Sequence, residues 1–167
     1  MNCTKIGPIE AGPLDGTRQR RIDALLSQME ERIIVLDGAM GTMIQTYNLN
    51  ENKFRGRAFI DHPIDLEGNN EILNITAPEI ILDIHRAYLA AGSDIIETNT
   101  FGATSVAQEE YGLSEHANEM NLQAACLARQ AADELNRDGE RECFVAGAVG
   151  PTNRTLSSSE DMNDPSA

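Results

Sequence analysis

Tryptophan is absent from the 167 residues, aromatic side chains make up only 4%, and lysine occurs twice, at Lys5 and Lys53. With 13 Lys and Arg against 27 Asp and Glu, the formal net charge is −14 at pH 7. A chain so poor in cations lacks the electrostatic footprint that phosphate backbones require, so nucleic acid and anionic membrane surfaces are poor partners. Runs of about 18 consecutive apolar residues, the signature of a membrane-spanning helix, are missing. The first twenty residues hold Gly, Pro, Asp and Arg but no apolar stretch of the secretory kind. The expected compartment is therefore the cytosol. Cysteine is scarce too: Cys3, Cys126 and Cys143 form an odd set with no close pair. That pattern suits neither a disulfide framework nor a Cys-x-x-Cys metal knuckle, and the three read as reduced structural thiols.

What is present is enough for a core. Apolar residues reach 41%, and 13 Gly and 6 Pro are ordinary numbers, which excludes a disordered, collagenous or coiled-coil chain. The length fits one domain. Residues 1–16 lack periodicity and read as a flexible arm. From Thr17, the spacing of Ile22, Leu25, Leu26 and Met29 predicts a helix ending near Arg32. Ile33-Ile34-Val35-Leu36, closed by Asp37-Gly38, has the β-branched, continuous apolar character of a buried parallel strand. Met40, Met43, Ile44 and Tyr47 repeat a helical spacing, and residues 49–74 read as a long polar connection whose role composition leaves open.

Thr76-Ala77-Pro78-Glu79 has the form of a capping box, with Thr76 as cap, and predicts a helix to about Ala91 stopped by Gly92. Asp94–Asn99 is the second predicted strand. A short helical segment near Ser105–Tyr111 and a longer helix from Ser114 to about Asn136, ended by Gly139, lead to a third strand over Phe144–Val149. Apolar strands alternating with helices imply α/β architecture with parallel βαβ units. Three strands cannot close a barrel, and the polar run after Pro151 makes the pattern look unfinished.

In parallel α/β folds, ligands bind at the carboxyl ends of the strands. Asp37 stands at such an end, placed either to receive an ammonium group or to cap the following helix. The backbone amides of Gly38, Ala39 and Met40 could receive a carboxylate, so that the turn as a whole could hold an amino acid. Glu97 reads either as a site residue or as a carboxylate satisfied by loop amides, and Asn99 sits at a strand end. Gly150 and Pro151 read as a rigid turn. His62, His85 and His116 have no i, i+4 partner for a metal and read as surface or hydrogen-bonded histidines. Cys126 and Cys143 fall on the wrong parts of the fold for a site at the strand ends.

Four segments carry a resemblance. RIIVLDGAMGTMIQ (Arg32–Gln45), DLEGNNEILNITAPEII (Asp65–Ile81), IHRAYLAAGSDIIETNTFGAT (Ile84–Thr104) and VAGAVGPTNRTLS (Val145–Ser157) resemble the homocysteine S-methyltransferase family. The combination of GNNEIL, ETNTF and GPTNR is similar to the N-terminal homocysteine-binding module of its cobalamin-dependent methionine synthase branch. The similarity covers roughly residues 18–167. It implies a (β/α)8 barrel over residues 17–167 and beyond, of which this chain would hold about three of the eight strands.

It also implies a zinc-bound homocysteine thiolate that takes a methyl group from methylcobalamin, itself recharged by methyltetrahydrofolate on other domains of the full-length chain. Zinc makes this possible because it deprotonates a thiol of ordinary pKa about 8.5. By resemblance, Asp37 holds the substrate amino group, the Gly38–Met40 amides approach its carboxylate, and Asn99, Thr100 and Phe101 line the pocket. The zinc cysteines of the family match none of Cys3, Cys126 and Cys143 and are expected beyond Ala167, so the segment alone is expected to bind no metal and to be inactive. Two rival readings stand beside this one: a betaine- or S-methylmethionine-dependent homocysteine methyltransferase, and a non-catalytic amino-acid-binding or interaction protein.

Overall fold

The computed structural model describes residues 16–138 and 141–152. The predicted N-terminal arm, the Gly139 stop and the polar run from Asn153 lie outside the described residues, apart from Gly16. Helix α1 (Gly16–Glu31) forms where the apolar spacing predicts it, yet it buries none of its residues, and Leu26 and Met29 are exposed. Ion pairs attach it instead: Arg21 reaches Asp133 at 3.3 Å, and Arg32, just past its end, reaches Asp94 at 2.8 Å.

The predicted first strand is not one. Ile33–Leu36 makes a single parallel bridge, Leu36 to Ile95, and Ile33 is 87% exposed. Part of the cause is local: Asp94 takes the Val35 N–H with its carboxylate, and the Asp94 and Ile95 amides both donate to the Val35 carbonyl. A regular ladder gives way to this knot.

Strands β1 (Ile95–Glu97) and β2 (Phe144–Ala146) pair in parallel, in the register Ile95–Phe144, Ile96–Val145, Glu97–Ala146. Both are shorter than predicted because the chain turns at once after Glu97, where the Thr100 N–H donates to the Thr98 carbonyl. Past that point, side chains replace the ladder. The Thr98 hydroxyl accepts from the Ala148 N–H at 3.1 Å, and the Thr100 hydroxyl donates to the Ala148 carbonyl at 2.7 Å.

Helices α5 (Pro78–Ala91) and α6 (Ala117–Asp138) pack on each other and on the sheet. Ile81, Ile84 and Leu89 of α5 meet Met120, Leu127, Ala128 and Ala131 of α6 in the core, with Ile96 and Phe144 from the strands. The alanines on the inner face of α6 are what let a long helix lie close. Gly92 closes α5 in the left-handed region at φ 114°, as a glycine stop should.

Thr76, however, is not the cap of α5. It ends a preceding turn of helix, α4 (Leu73–Thr76), and its hydroxyl donates to the Ile72 carbonyl at 3.2 Å, so Ala77 occupies the cap position without a side-chain hydrogen bond. The 49–74 connection holds α3 (Glu51–Arg55) and a 3-10 turn, Asn70–Ile72, besides α4. Its polar residues staple it: Asn50 caps α3, and the Glu51 carboxylate accepts from the Leu66 and Glu67 amides at 2.9 and 2.6 Å. Helix α2 (Met40–Gln45) follows the Asp37-Gly38 turn, and a 3-10 turn, Ala107–Tyr111, replaces the short helix predicted near Ser105. Cys143 is a buried free thiol, whereas Cys126 is disulfide-bonded, so the reading of all three cysteines as reduced fails there.

Candidate active site at the carboxyl end of the sheet

Asp37 leaves the bridge segment with its backbone N–H on the Ile95 carbonyl at 2.9 Å, which sets its side chain beside the end of β1. One carboxylate oxygen, Oδ2, accepts from the Glu97 N–H at 3.0 Å. The other, Oδ1, is buried and has no partner among the described residues. Burial pushes the carboxyl up to about 6 against an ordinary value of 3.8, and the nearby Glu97 charge adds to the rise, while the Glu97 amide opposes it. An acceptor held in place on one side and open on the other is what a cationic group could complete. The capping alternative for Asp37 does not hold: Ala39 is the cap position of α2, and no side chain bonds there.

Gly38 and Ala39 are exposed, and Met40 packs against the core. Beneath this turn lies Tyr88 of α5, whose hydroxyl donates to the Ala39 carbonyl at 3.3 Å. Glu97, by contrast, points to solvent, so the reading of its side chain as a buried carboxylate satisfied by loop amides is not what the structure has. Its backbone does the work at this site.

Asn99 is buried and spends its amide internally, donating to the Asn70 carbonyl at 2.8 Å and to Asn74 Oδ1 at 3.1 Å. Asn74 returns the bond to the Asn99 carbonyl at 2.8 Å. A second carboxamide pair sits alongside: Asn69 donates to Gln108 Oε1 at 2.7 Å, and Gln108 donates to the Gly102 carbonyl at 2.9 Å. Glu71 accepts from the Gly102 N–H at 2.9 Å. The Asn-rich run of residues 69–74 is thus the cradle of the loop after β1, a role its composition did not disclose.

Thr100 is buried with its hydroxyl 2.6 Å from that of Thr98. Phe101 is 62% exposed, and its carbonyl accepts from the Gly150 N–H at 3.0 Å. Gly150 fits only as glycine, since a Cβ there would stand 2.5 Å from the Phe101 carbonyl oxygen. The structure therefore brings Asp37 to Glu97 and Phe101 to Gly150, at neighbouring strand ends. Two surface cavities, of about 370 and 690 Å³, open elsewhere, around Ile44 and Gly68 and around Lys53 and Glu79, and none of these candidate residues lines either one.

The histidines divide. His62 bonds the Tyr111 carbonyl at 2.7 Å, and His116 lies 3.4 Å from Glu119. His85 overturns its expected reading: it is wholly buried on α5, and both ring nitrogens lack a partner among the described residues. Three or more His, Cys, Asp or Glu side chains able to hold a metal do not converge anywhere among the described residues. These residues do not fit the zinc site that the resemblance implies.

A family model described as homocysteine S-methyltransferase matches residues 34–167. Among solved structures, the metallated form of the homocysteine methyltransferase MmuM from Escherichia coli is similar at 25% identity and a TM-score of 0.58, over 78% of this chain and 41% of that one. The oxidized form of the same protein gives a TM-score of 0.60 at the same identity and coverage. The chain thus spans 41% of the length of these solved relatives.

Proposed function

The chain belongs to the homocysteine S-methyltransferase family, and from that premise we propose that it supplies the amino-acid-binding end of a (β/α)8 barrel that transfers a methyl group to homocysteine. One observation carries the reading: the Asp37 carboxylate is fixed by the Glu97 amide through one oxygen and left buried and unpartnered at the other. The substrate ammonium group completes it. The substrate carboxylate then lies against the Gly38–Met40 amides, and Asn99, Thr100 and Phe101 frame the adjoining strand end. In the reaction the homocysteine sulfur attacks the donor's methyl carbon, the S–C bond forms as the bond from carbon to donor breaks, and the thiol proton leaves. This chain's own part is to hold and orient the amino acid so that its sulfur is presented to the donor.

Methylcobalamin, recharged from methyltetrahydrofolate, is the donor that the GNNEIL, ETNTF and GPTNR motifs support; S-methylmethionine or betaine is the alternative. Zinc ligands would come from outside the described residues. Calorimetric titration of L-homocysteine into the full chain as encoded tests the reading. Asp37→Asn is expected to weaken binding by about tenfold or more, the worth of a charge-assisted hydrogen bond. Unchanged affinity removes Asp37 from the site. Offering the three methyl donors singly and following methionine formation then decides the branch.

A further inference from the structure

In sequence, the Asp37-Gly38 pair closes an apolar run, where a glycine would ordinarily be explained by backbone freedom. The structure gives a different cause. Gly38 is not among the described glycines with positive φ, so conformational freedom is not what the position requires. What a side chain would meet is Tyr88: a Cβ at residue 38 would stand 3.1 Å from its hydroxyl oxygen, 3.3 Å from Cε1 and 3.4 Å from Cζ. Residues fifty positions apart in sequence are one unit in space. The Tyr88 hydroxyl donates to the Ala39 carbonyl, which the Met43 N–H meets only at 3.4 Å. Tyr88 also feels Asp37: burial first, and then the Asp37 charge, raises its phenol above the ordinary value.

We propose that Tyr88 is a positioning residue of the homocysteine site, a phenol that fixes the Asp37–Met40 turn from beneath and so orients the groups that grip the amino-acid end of the substrate. The inference rests on the function proposed above. Its geometry follows from the peptide plane. The described residues contain no cis bond, and in a trans peptide the carbonyl and the following N–H point in opposite directions. A carbonyl of Ala39 held down by Tyr88 therefore turns the Met40 N–H away from the phenol. The same contact seats Gly38 on the ring, next to Asp37, which the Ile95 carbonyl holds through its backbone N–H and the Glu97 amide through its side chain. Tyr88 does not touch the substrate in this arrangement; it acts through the backbone.

The test compares two ligands on the full chain as encoded: L-homocysteine and aminopropanethiol, its analogue without the carboxylate. Tyr88→Phe keeps the ring and removes the hydroxyl. It is expected to weaken homocysteine by about three- to tenfold, the range of one neutral hydrogen bond, while aminopropanethiol, which makes no use of the Met40 amide, changes by less than about twofold. Melting temperature should stay within a degree or two, since the ring still fills its place.

Gly38→Ala provides the second arm. It is expected to weaken homocysteine strongly in the native background and less in the Tyr88→Phe background, where the atom nearest the new Cβ is gone. Asp37→Asn separates the two layers of argument. If Asp37→Asn leaves homocysteine binding unchanged, the proposed function falls and this inference with it. If Asp37→Asn weakens binding but Tyr88→Phe does not, or weakens both ligands equally, Tyr88 is only a packing residue and the inference alone is overturned. Additive effects of Gly38→Ala and Tyr88→Phe would overturn it as well.

Discussion

A half-buried carboxyl and a buried imidazole push stability in opposite directions over nearly the same pH range. Asp37 has a folded value of about 6 against an ordinary 3.8, so the native state holds its proton over a range where the unfolded chain has lost it. Stability at this residue is therefore greatest at low pH and falls as pH rises through about 4 to 6. Above that window the unpartnered charge costs about 1 kcal/mol once solvent screening of a half-buried group is allowed for. Asp37→Asn is expected to raise the melting temperature by about 2–4 °C at pH 7.5 and not at pH 4, even as it weakens homocysteine. In the native chain, homocysteine affinity should decline as pH drops below about 6, and calorimetry of Asp37→Asn should show that limb gone.

His85 runs the other way: its folded value is down to about 4 because burial disfavours the cation, so the unfolded chain takes up the proton first and stability is lost as pH falls from about 6.5 towards 4. His85→Leu should flatten the acid limb of thermal melts and stabilise the chain by about 1–2 kcal/mol at pH 5, since two unsatisfied ring nitrogens leave the core. An unchanged limb would mean that His85 finds a partner in solution. Its burial is legible in the sequence, for Ile81, His85 and Leu89 recur at i, i+4 and i+8 on one face of α5, whereas whether its ring nitrogens find partners depends on elements distant in sequence.

At the scale of elements, one buried carboxylate joins three of them. Asp94 precedes β1, accepts from the two terminal guanidinium nitrogens of Arg32 at 2.8 and 2.9 Å and from the Val35 N–H at 2.9 Å, and has Arg141 at 3.7 Å. The Arg32 hydrogen bonds hold its carboxyl below the ordinary range against its burial, so its stabilisation is present at neutral pH and is lost as pH falls through that lowered value. Asp94→Ala is expected to cost about 2–3 kcal/mol and to speed amide exchange in α1 and residues 33–36 before the rest of the chain, because α1 buries no residue of its own and is tethered by charge. Uniform acceleration across α5 and α6 would show instead that Asp94 supports the whole core.

The helices were legible because spacing and stops are local: the Ile22–Met29 spacing of α1 and the Gly92 stop of α5 need no knowledge of the rest of the fold. Of the three predicted strands, the second and third were legible in place but not in length, and the first reduces to a single bridge. Apolar, β-branched runs mark where a strand can form, while its extent depends on partners elsewhere in the sequence, and here Thr98 and Thr100 end the ladder with their hydroxyls. Thr76 shows the same limit in a cap. Its capping box is complete in sequence, but the α4 turn before it takes the hydroxyl for an i−4 bond. The candidate site was legible at Asp37, whose anionic side chain follows an apolar run. Tyr88 was hidden because an aromatic residue four positions after Ile84 in a helix has the spacing of ordinary core packing.

For the molecule as a whole, apolar surface is the feature that demands an explanation. Ile33 is 87% exposed, Val35 and Leu36 are each 50% exposed along the segment flanking β1, and Val149 beyond β2 is 85% exposed. Parallel sheets are stable when both faces are covered, and β-branched residues at a sheet margin are templates for association. The two strands and single bridge among the described residues give these side chains no cover. A polypeptide of these 167 residues is therefore expected to bind an apolar fluorescent dye and to self-associate at micromolar concentration, with a broad thermal transition. Its charge of −14 opposes association at low salt. Raising ionic strength should accordingly increase the apparent mass in sedimentation, the opposite of what charge-driven pairing would show. Ile33→Lys with Val149→Lys should reduce dye binding and mass together while leaving the melt nearly unchanged, because side chains 87% and 85% exposed have little packing to lose. A dye-silent monomer at high salt would mean that this margin is covered within the 167 residues, and the expectation of association would fail.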